Sequence, residues 1–296
     1  MVERKTVGSR IFDICNCAFL TLLAVICLYP MWHVLMGSIS DPVSLTKHYG
    51  PIVLPLGHSV EGYKVVLNNP NIGMGYANTV FYVVVGTASR MLATLIGAYI
   101  ISRRGFMFRK LLTFMMVFTM YFGGGMIPTF LVVKAIGLYN SRAAIIIPSL
   151  ISTWNMIIMK TALQQVPSSL EESARLDGAN DLVILFRILI PVTKATIAVI
   201  ALYYAVGEWN SWFSAMVYLR DTSKRPLQIV LREILIQNSQ NAGNQTANVD
   251  MDVSAMFLEE LIKYCTIIVA TVPILCVYPF VQKYFVTGVM MGSVKE

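Results

Sequence analysis

Charge is scarce in this sequence: 13% of its 296 residues are Asp, Glu, Lys or Arg, where a soluble domain carries roughly 25%. With 56% hydrophobic residues and a mean hydropathy of +0.65, the exterior is built for lipid and not for water. Histidine is nearly missing. The three present, His33, His48 and His58, lie at or near the outer ends of apolar runs, and the membrane core offers a single carboxylate. Intramembrane catalysis wants paired carboxylates or Ser/His and His/metal sets, so an enzyme is disfavoured. There is no G-x-x-x-x-G-K-[ST] phosphate loop, which excludes ATP hydrolysis by that route. The five cysteines, Cys15, Cys17, Cys27, Cys265 and Cys276, sit inside apolar runs with neither disulfide nor metal spacing. They read as small hydrophobes, and no metal or cofactor is expected. No convincing repeat relates the halves, as an ion-coupled secondary transporter would require.

What is present is a series of long apolar runs near 12–36, 77–101, 111–133, 143–163, 195–219 and 264–286. Each reaches the roughly 20 residues that cross a bilayer. The first, from Ile11 to Met36, is far longer than the roughly 7–15 residues of a signal-peptide core, so it reads as a retained span. The fold class expected is an all-α membrane protein with six transmembrane helices. Arg4, Lys5 and Arg10 precede the first span, and Arg103, Arg104, Arg109 and Lys110 follow the second. Short basic loops stay in the cytoplasm, which gives an N-in, C-in arrangement. The net charge of +7 therefore speaks for a membrane surface and not for nucleic acid. The organisation expected is 1–76 as first span and outer loop, 77–286 as core, and 287–296 as a cytoplasmic tail. Within the core, 164–194 faces inward and 220–263 outward. The outer stretch 238–248, rich in Asn, Gln and Ser, reads as a mobile loop.

The inward segment from Pro167 to Pro191 carries the strongest local signals. Ser168 with Glu171, and Ser169 with Glu172, have capping-box spacing and start a helix just after Pro167. Gly178 stands where that helix would end in a left-handed cap, and a Cβ there would cost roughly 1 kcal/mol or more. A second helix resumes near Asn180 and runs through Leu182, Leu185, Phe186 and Leu189 to Pro191. Periodicity leaves two readings for this pair: a peg for a partner's socket, or an amphipathic hairpin on lipid headgroups.

Inside the membrane, Arg90, Asn155 and Glu208 each fall about 12–13 residues into a span, near the midplane at about 1.5 Å per residue. A charge at that depth must find a partner, so Arg90 and Glu208 are expected to approach one another. The pair could fix helix packing or line the solute path. Trp209 and Asn210, with Trp212, form an aromatic–amide group suited to sugar C–H faces and hydroxyls, although interface anchoring and helix packing explain such residues too. Gly123, Gly124, Gly125 and Pro128 interrupt the third span near its outer end.

The run Glu172-Ser173-Ala174, Asp177-Gly178-Ala179, Phe186, Ile188 and Pro191 resembles the EAA loop of binding-protein-dependent ABC importers. Ser173 stands where alanine is usual, and Ala195 where a second proline often follows. The segments Phe122–Thr129, Trp154–Lys160, Gly207–Trp212 and Gln282–Gly288 resemble the carbohydrate-uptake branch of that family. The resemblance covers most of 75–290. It implies a type I importer permease in which a coupling helix docks on a separate ATPase, with Glu171, Glu172, Ala174, Asp177, Gly178, Ala179, Phe186 and Pro191 at the junction. It further implies a homologous second permease, a cytoplasmic ATPase dimer, an extracytoplasmic solute-binding protein and a place in the bacterial cytoplasmic membrane. An oligosaccharide or related sugar is the expected solute; a peptide, polyamine or oxyanion is the alternative.

Overall fold

In the computed structural model, residues 7–103, 105–244 and 253–293 are described, and every regular element among them is helical. Arg4, Lys5, Arg104, the 245–248 end of the polar stretch and residues 294–296 of the tail lie outside them. In chain order the helices are α1 (Val7–Ser38), α2 (Pro42–Lys47), α3 (Glu61–Leu67), α4 (Pro70–Ser102), α5 (Arg109–Tyr121), α6 (Met126–Ala135) and α7 (Ala143–Ser149). There follow α8 (Thr153–Gln164), α9 (Ser168–Leu176), α10 (Asp181–Val192), α11 (Lys194–Trp209), α12 (Phe213–Tyr218), α13 (Leu227–Asn244) and α14 (Val253–Ser293).

Among the described residues three helices are long and apolar enough to cross a membrane: α1, α4 and the 258–279 part of α14. Two bent pairs bring the candidates to five, α7 with α8 at 54° and α10 with α11 at 88°. The expected third span is divided. Gly125, at φ +80°, separates α5 from the shorter apolar α6, so the glycines break the helix as their lack of a Cβ permits.

The chain forms two compact units. In the first (1–69 with 233–273), α1 exposes Ile11, Phe12, Phe19 and Leu22 along its length, as a lipid-solvated helix does. Its end is tied by Trp32, whose Nε1 donates to the Val53 carbonyl at 2.8 Å. His33 accepts from the Ile52 N–H at 3.1 Å and lies 3.3 Å from the Tyr264 hydroxyl.

In the second (70–232 with 274–296), the core gathers Leu95, Ala98 and Tyr99 of α4, Met156, Met159 and Leu163 of α8, Ile184, Leu185 and Leu189 of α10, and Ile200 and Tyr204 of α11. Thus α10 is packed into the bundle and does not lie free on it. Its middle, Ile184–Leu189, is a π-helical segment, and Thr193 closes the helix by donating to the Leu189 carbonyl at 2.7 Å. The chain then turns sharply into α11 although Ala195 supplies no second proline. At the opposite end, the Asn78 amide donates to the Ser223 carbonyl at 2.7 Å and the Tyr82 hydroxyl to that of Lys224 at 2.8 Å, which staples the 219–226 turn to α4. There the Ser223 hydroxyl and N–H both donate to Asp221 and hold its carboxyl below the usual carboxylate range.

One expectation is overturned within 238–244: these residues continue α13 as a helix. The apolar turns from Leu227 nucleate it, and Gln, Ser, Asn and Ala then propagate it at little cost per residue.

Candidate functional site

The hairpin at 168–192 is the first of two candidate sites. Helix α9 starts at Ser168 as the spacing implied, but not by capping boxes. Pro167 holds the N-cap position with no side-chain cap bond, so Ser168 and Ser169 are already helical. Glu171 turns instead to Arg103, with which it forms an ion pair. A charged partner outcompetes the local backbone amide.

The end of α9 is a Schellman motif. The Ala179 N–H donates to the Ala174 carbonyl at 2.9 Å and the Gly178 N–H to that of Arg175 at 3.1 Å, with Gly178 at φ +82°. Ala174 is buried and Ala179 packs on the same cluster, so both face the bundle. Asn180 then caps α10, its side chain accepting from the Val183 N–H at 2.9 Å.

Four residues outside the expected set, Tyr99, Arg103, Arg175 and Asp181, hold this hairpin in place. The Tyr99 hydroxyl donates to Asp181 at 2.9 Å, and Arg175 pairs with the same carboxylate at 2.6 Å. Arg103 stacks its guanidinium over the Tyr99 ring at 4.4 Å while pairing with Glu171. The basic turn after the second span carried a signal for orientation, but not for these partners. A cleft of about 760 Å³ opens beside the join, lined by Arg103, Arg109, Gln164, Ser168, Glu171 and Glu172.

The hairpin's free side is apolar and rimmed by charge. Leu176 is 89% exposed, Leu182 64% and Phe186 46%. Glu172, Asp177, Gly178 and Pro191 are exposed around them. This is a shaped surface with its own core contacts behind it, the form a docking knob takes.

The second candidate site lies inside the bundle. Arg90 and Glu208 form an ion pair, with the Glu208 side chain only 1% exposed. Arg90 also donates to the Ser149 hydroxyl and sits 6.0 Å from the centre of the Tyr204 ring. Gly86 makes room for the carboxylate, since a Cβ there would stand 3.3 Å from its carboxyl carbon. Oε2 of Glu208 and Nε of Arg90 find no hydrogen-bond partner among the described residues.

The other expected members do not join that pair. Asn155 is buried near the start of α8, its N–H donating to the Ser152 hydroxyl at 3.4 Å. Trp209 packs against Tyr76 with ring centres 6.3 Å apart. The Asn210 amide donates to the Val206 carbonyl of its own helix at 3.0 Å. Trp212 lies under the Arg232 guanidinium at 4.1 Å. Among the described residues no group of three or more His, Cys, Asp or Glu is arranged to hold a metal.

Residues 92–219 match the family described as "Binding-protein-dependent transport system inner membrane component". The chain is 42% identical to the polygalacturonan/rhamnogalacturonan transport system permease protein YtcP of Bacillus subtilis (strain 168) over 288 residues, 97% of this chain and 99% of that one. It is 40% identical to the protein LplC of the same organism over 291 residues, 98% of this chain and 97% of that one. A solved structure of a bacterial ABC transporter involved in import of the acidic polysaccharide alginate superposes with a TM-score of 0.84 at 34% identity, over 96% of this chain and 100% of that one. Near-complete coverage at these identities leaves the assignment in no doubt: the chain belongs to the binding-protein-dependent transport system inner membrane components, the multi-pass membrane subunits of ABC transporters.

Proposed function

We propose that this chain is the permease subunit of an ABC importer that moves an oligosaccharide or related sugar into the cell. The chain is no enzyme; a separate ATPase subunit supplies the energy. The observation that carries the reading is the hairpin at 168–192, stapled to the end of α4 by Arg103–Glu171 and Tyr99–Asp181, with Leu176, Leu182 and Phe186 left uncovered. A knob joined so firmly to a membrane helix passes a partner's movement on instead of absorbing it. Glu171, Ala174 and Ala179 would hold the knob, while Glu172, Asp177, Gly178, Phe186 and Pro191 meet the ATPase.

In this reading α1, α4, α5 with α6, α7 with α8, α11 with α12, and α14 supply six spans. Residues 1–76 form the first span and outer loop, 77–286 the core and 287–296 the tail, with both ends inside. A second, homologous permease, an ATPase dimer and an extracytoplasmic solute-binding protein complete the assembly. Arg90 and Glu208 border the solute path, the role their unsatisfied atoms favour; Asn155, Trp209 and Asn210 flank it. The saccharide class is supported by relatives named for polygalacturonan, rhamnogalacturonan and alginate transport.

The test is co-purification of the expressed operon products, followed by ATPase assays with solute-binding protein and a panel of sugars. An ATPase should co-purify and a saccharide should stimulate it. Without a bound ATPase the proposal fails, and stimulation by a peptide, polyamine or oxyanion would replace the sugar.

A further inference from the structure

A cleft of about 860 Å³ between α5 and α8 adjoins the first site, with which it shares Arg109. Arg109, Lys110 and Lys160 line it, together with Thr113, Phe114 and Val117, and no acidic residue does. Arg109 and Lys160 repel one another across it. Of the neighbouring acids, Glu171 is engaged by Arg103, and Glu172 lines the adjoining cleft, which Arg109 also reaches. The hydroxyl of Thr113, a residue of the wall, is buried and has no hydrogen-bond partner among the described residues.

Spacing along α5 gives the cleft a direction. Arg109, Thr113 and Val117 follow one another at four-residue intervals on one face, and Lys110 is followed by Phe114. From Arg109 to Val117 the helix rises about 12 Å. The cations therefore sit at the helix end and the apolar wall runs from them toward the bilayer centre. That order matches a ligand with a phosphate at one end and hydrocarbon at the other.

We propose that this cleft binds one anionic phospholipid, its phosphodiester between Arg109, Lys110 and Lys160 and an acyl chain along Phe114 and Val117. Basic pockets between membrane helices commonly recognise such headgroups. That the lipid comes from the cytoplasmic leaflet rests on the orientation proposed above. The binding itself does not, so it can fail while that reading stands.

The test uses the assembled transporter, exchanged in detergent with equimolar phosphatidylglycerol and phosphatidylcholine and weighed by native mass spectrometry. Wild type should retain one phosphatidylglycerol per copy of this chain. Arg109→Gln/Lys110→Gln/Lys160→Gln should lower that retention about a hundredfold, given three basic contacts at the surface. Arg109→Lys/Lys110→Arg/Lys160→Arg should keep it. If the triple Gln variant does not assemble, Lys160→Gln alone should lower retention about fivefold, and unchanged retention there counts against the proposal equally. Unchanged retention in the Gln variant, or equal retention of phosphatidylcholine by wild type, overturns the proposal. So does displacement by millimolar inorganic phosphate, which would make the cleft a free-anion site.

Discussion

At Gly178 the backbone stands at φ +82°, and no heavy atom lies within 4 Å of where a Cβ would be. A substitution there is opposed by backbone geometry and not by crowding. Gly178→Ala should cost the local turn roughly 1–2 kcal/mol, which is about a factor of 5–30 in its population. Sugar-stimulated ATPase activity should fall accordingly while the two permeases still co-purify, and Gly178→Asn should be milder because Asn tolerates the left-handed region. Wild-type stimulation in Gly178→Ala would show that the turn does not transmit. The Arg90–Glu208 pair allows a different test. Removing one member of a buried pair leaves an uncompensated charge, typically costing about 3–5 kcal/mol, while replacing both with apolar groups is often neutral. Glu208→Met should therefore reduce membrane abundance and Arg90→Met/Glu208→Met should restore it. Uptake by the restored double variant then tells packing from solute contact, since normal transport would confine the pair to structure. Their meeting was legible in the sequence because depth in a span can be counted. Trp209 on Tyr76, and Asn210 on its own helix, were not, because depth carries no information about which way a side chain faces.

The helices of the hairpin show which local signals survive folding. Pro167, Gly178 and Asn180 announced the starts and the stop, and each fixes its own backbone, so no distant residue could alter them. The capping boxes failed because Glu171 had a better, non-local choice in Arg103, 68 positions away in sequence. A still longer separation, 82 positions, hid the contact of Tyr99 with Asp181. If these contacts make α9 and α10 one rigid body with α4, weakening them should uncouple the transporter without unfolding it. Tyr99→Phe removes one hydrogen bond, worth about 0.5–1.5 kcal/mol, and should lower sugar stimulation of the ATPase modestly. Arg103→Ala removes the ion pair and the stacking on Tyr99 together, so it should raise basal ATPase activity relative to transport. An Arg103→Ala transporter with wild-type coupling would mean the hairpin moves independently of α4. The polar stretch at 238–244 taught the opposite lesson. Its composition suggested a loop, but an established helix extends through polar residues readily once the first turns exist.

At the scale of the whole chain, the scarcity of charge already dictated helices solvated by lipid, and the bare apolar surface of α1 is its plainest expression. Count and direction were harder to read. The break between Ser149 and Thr153 divides an apolar run that looks continuous in sequence, because turns inside a bundle can be satisfied by neighbouring helices. Direction rests on the basic residues around Arg103, Arg109 and Lys110, which share their end of the bundle with the hairpin, while Arg220, Lys224, Arg225 and Arg232 cluster near the stapled turn at the other. The two groups pull a charge-based assignment in opposite directions, so orientation needs its own measurement. In a background with all five cysteines replaced, Tyr49→Cys, at 95% exposed in the segment between α2 and α3, should react with a membrane-impermeant maleimide in intact cells. Ser169→Cys, exposed on α9, should react only after the membrane is opened, and then more slowly when the ATPase is bound. Labelling of Ser169→Cys in intact cells would put the hairpin outside, where no nucleotide-driven partner could reach it.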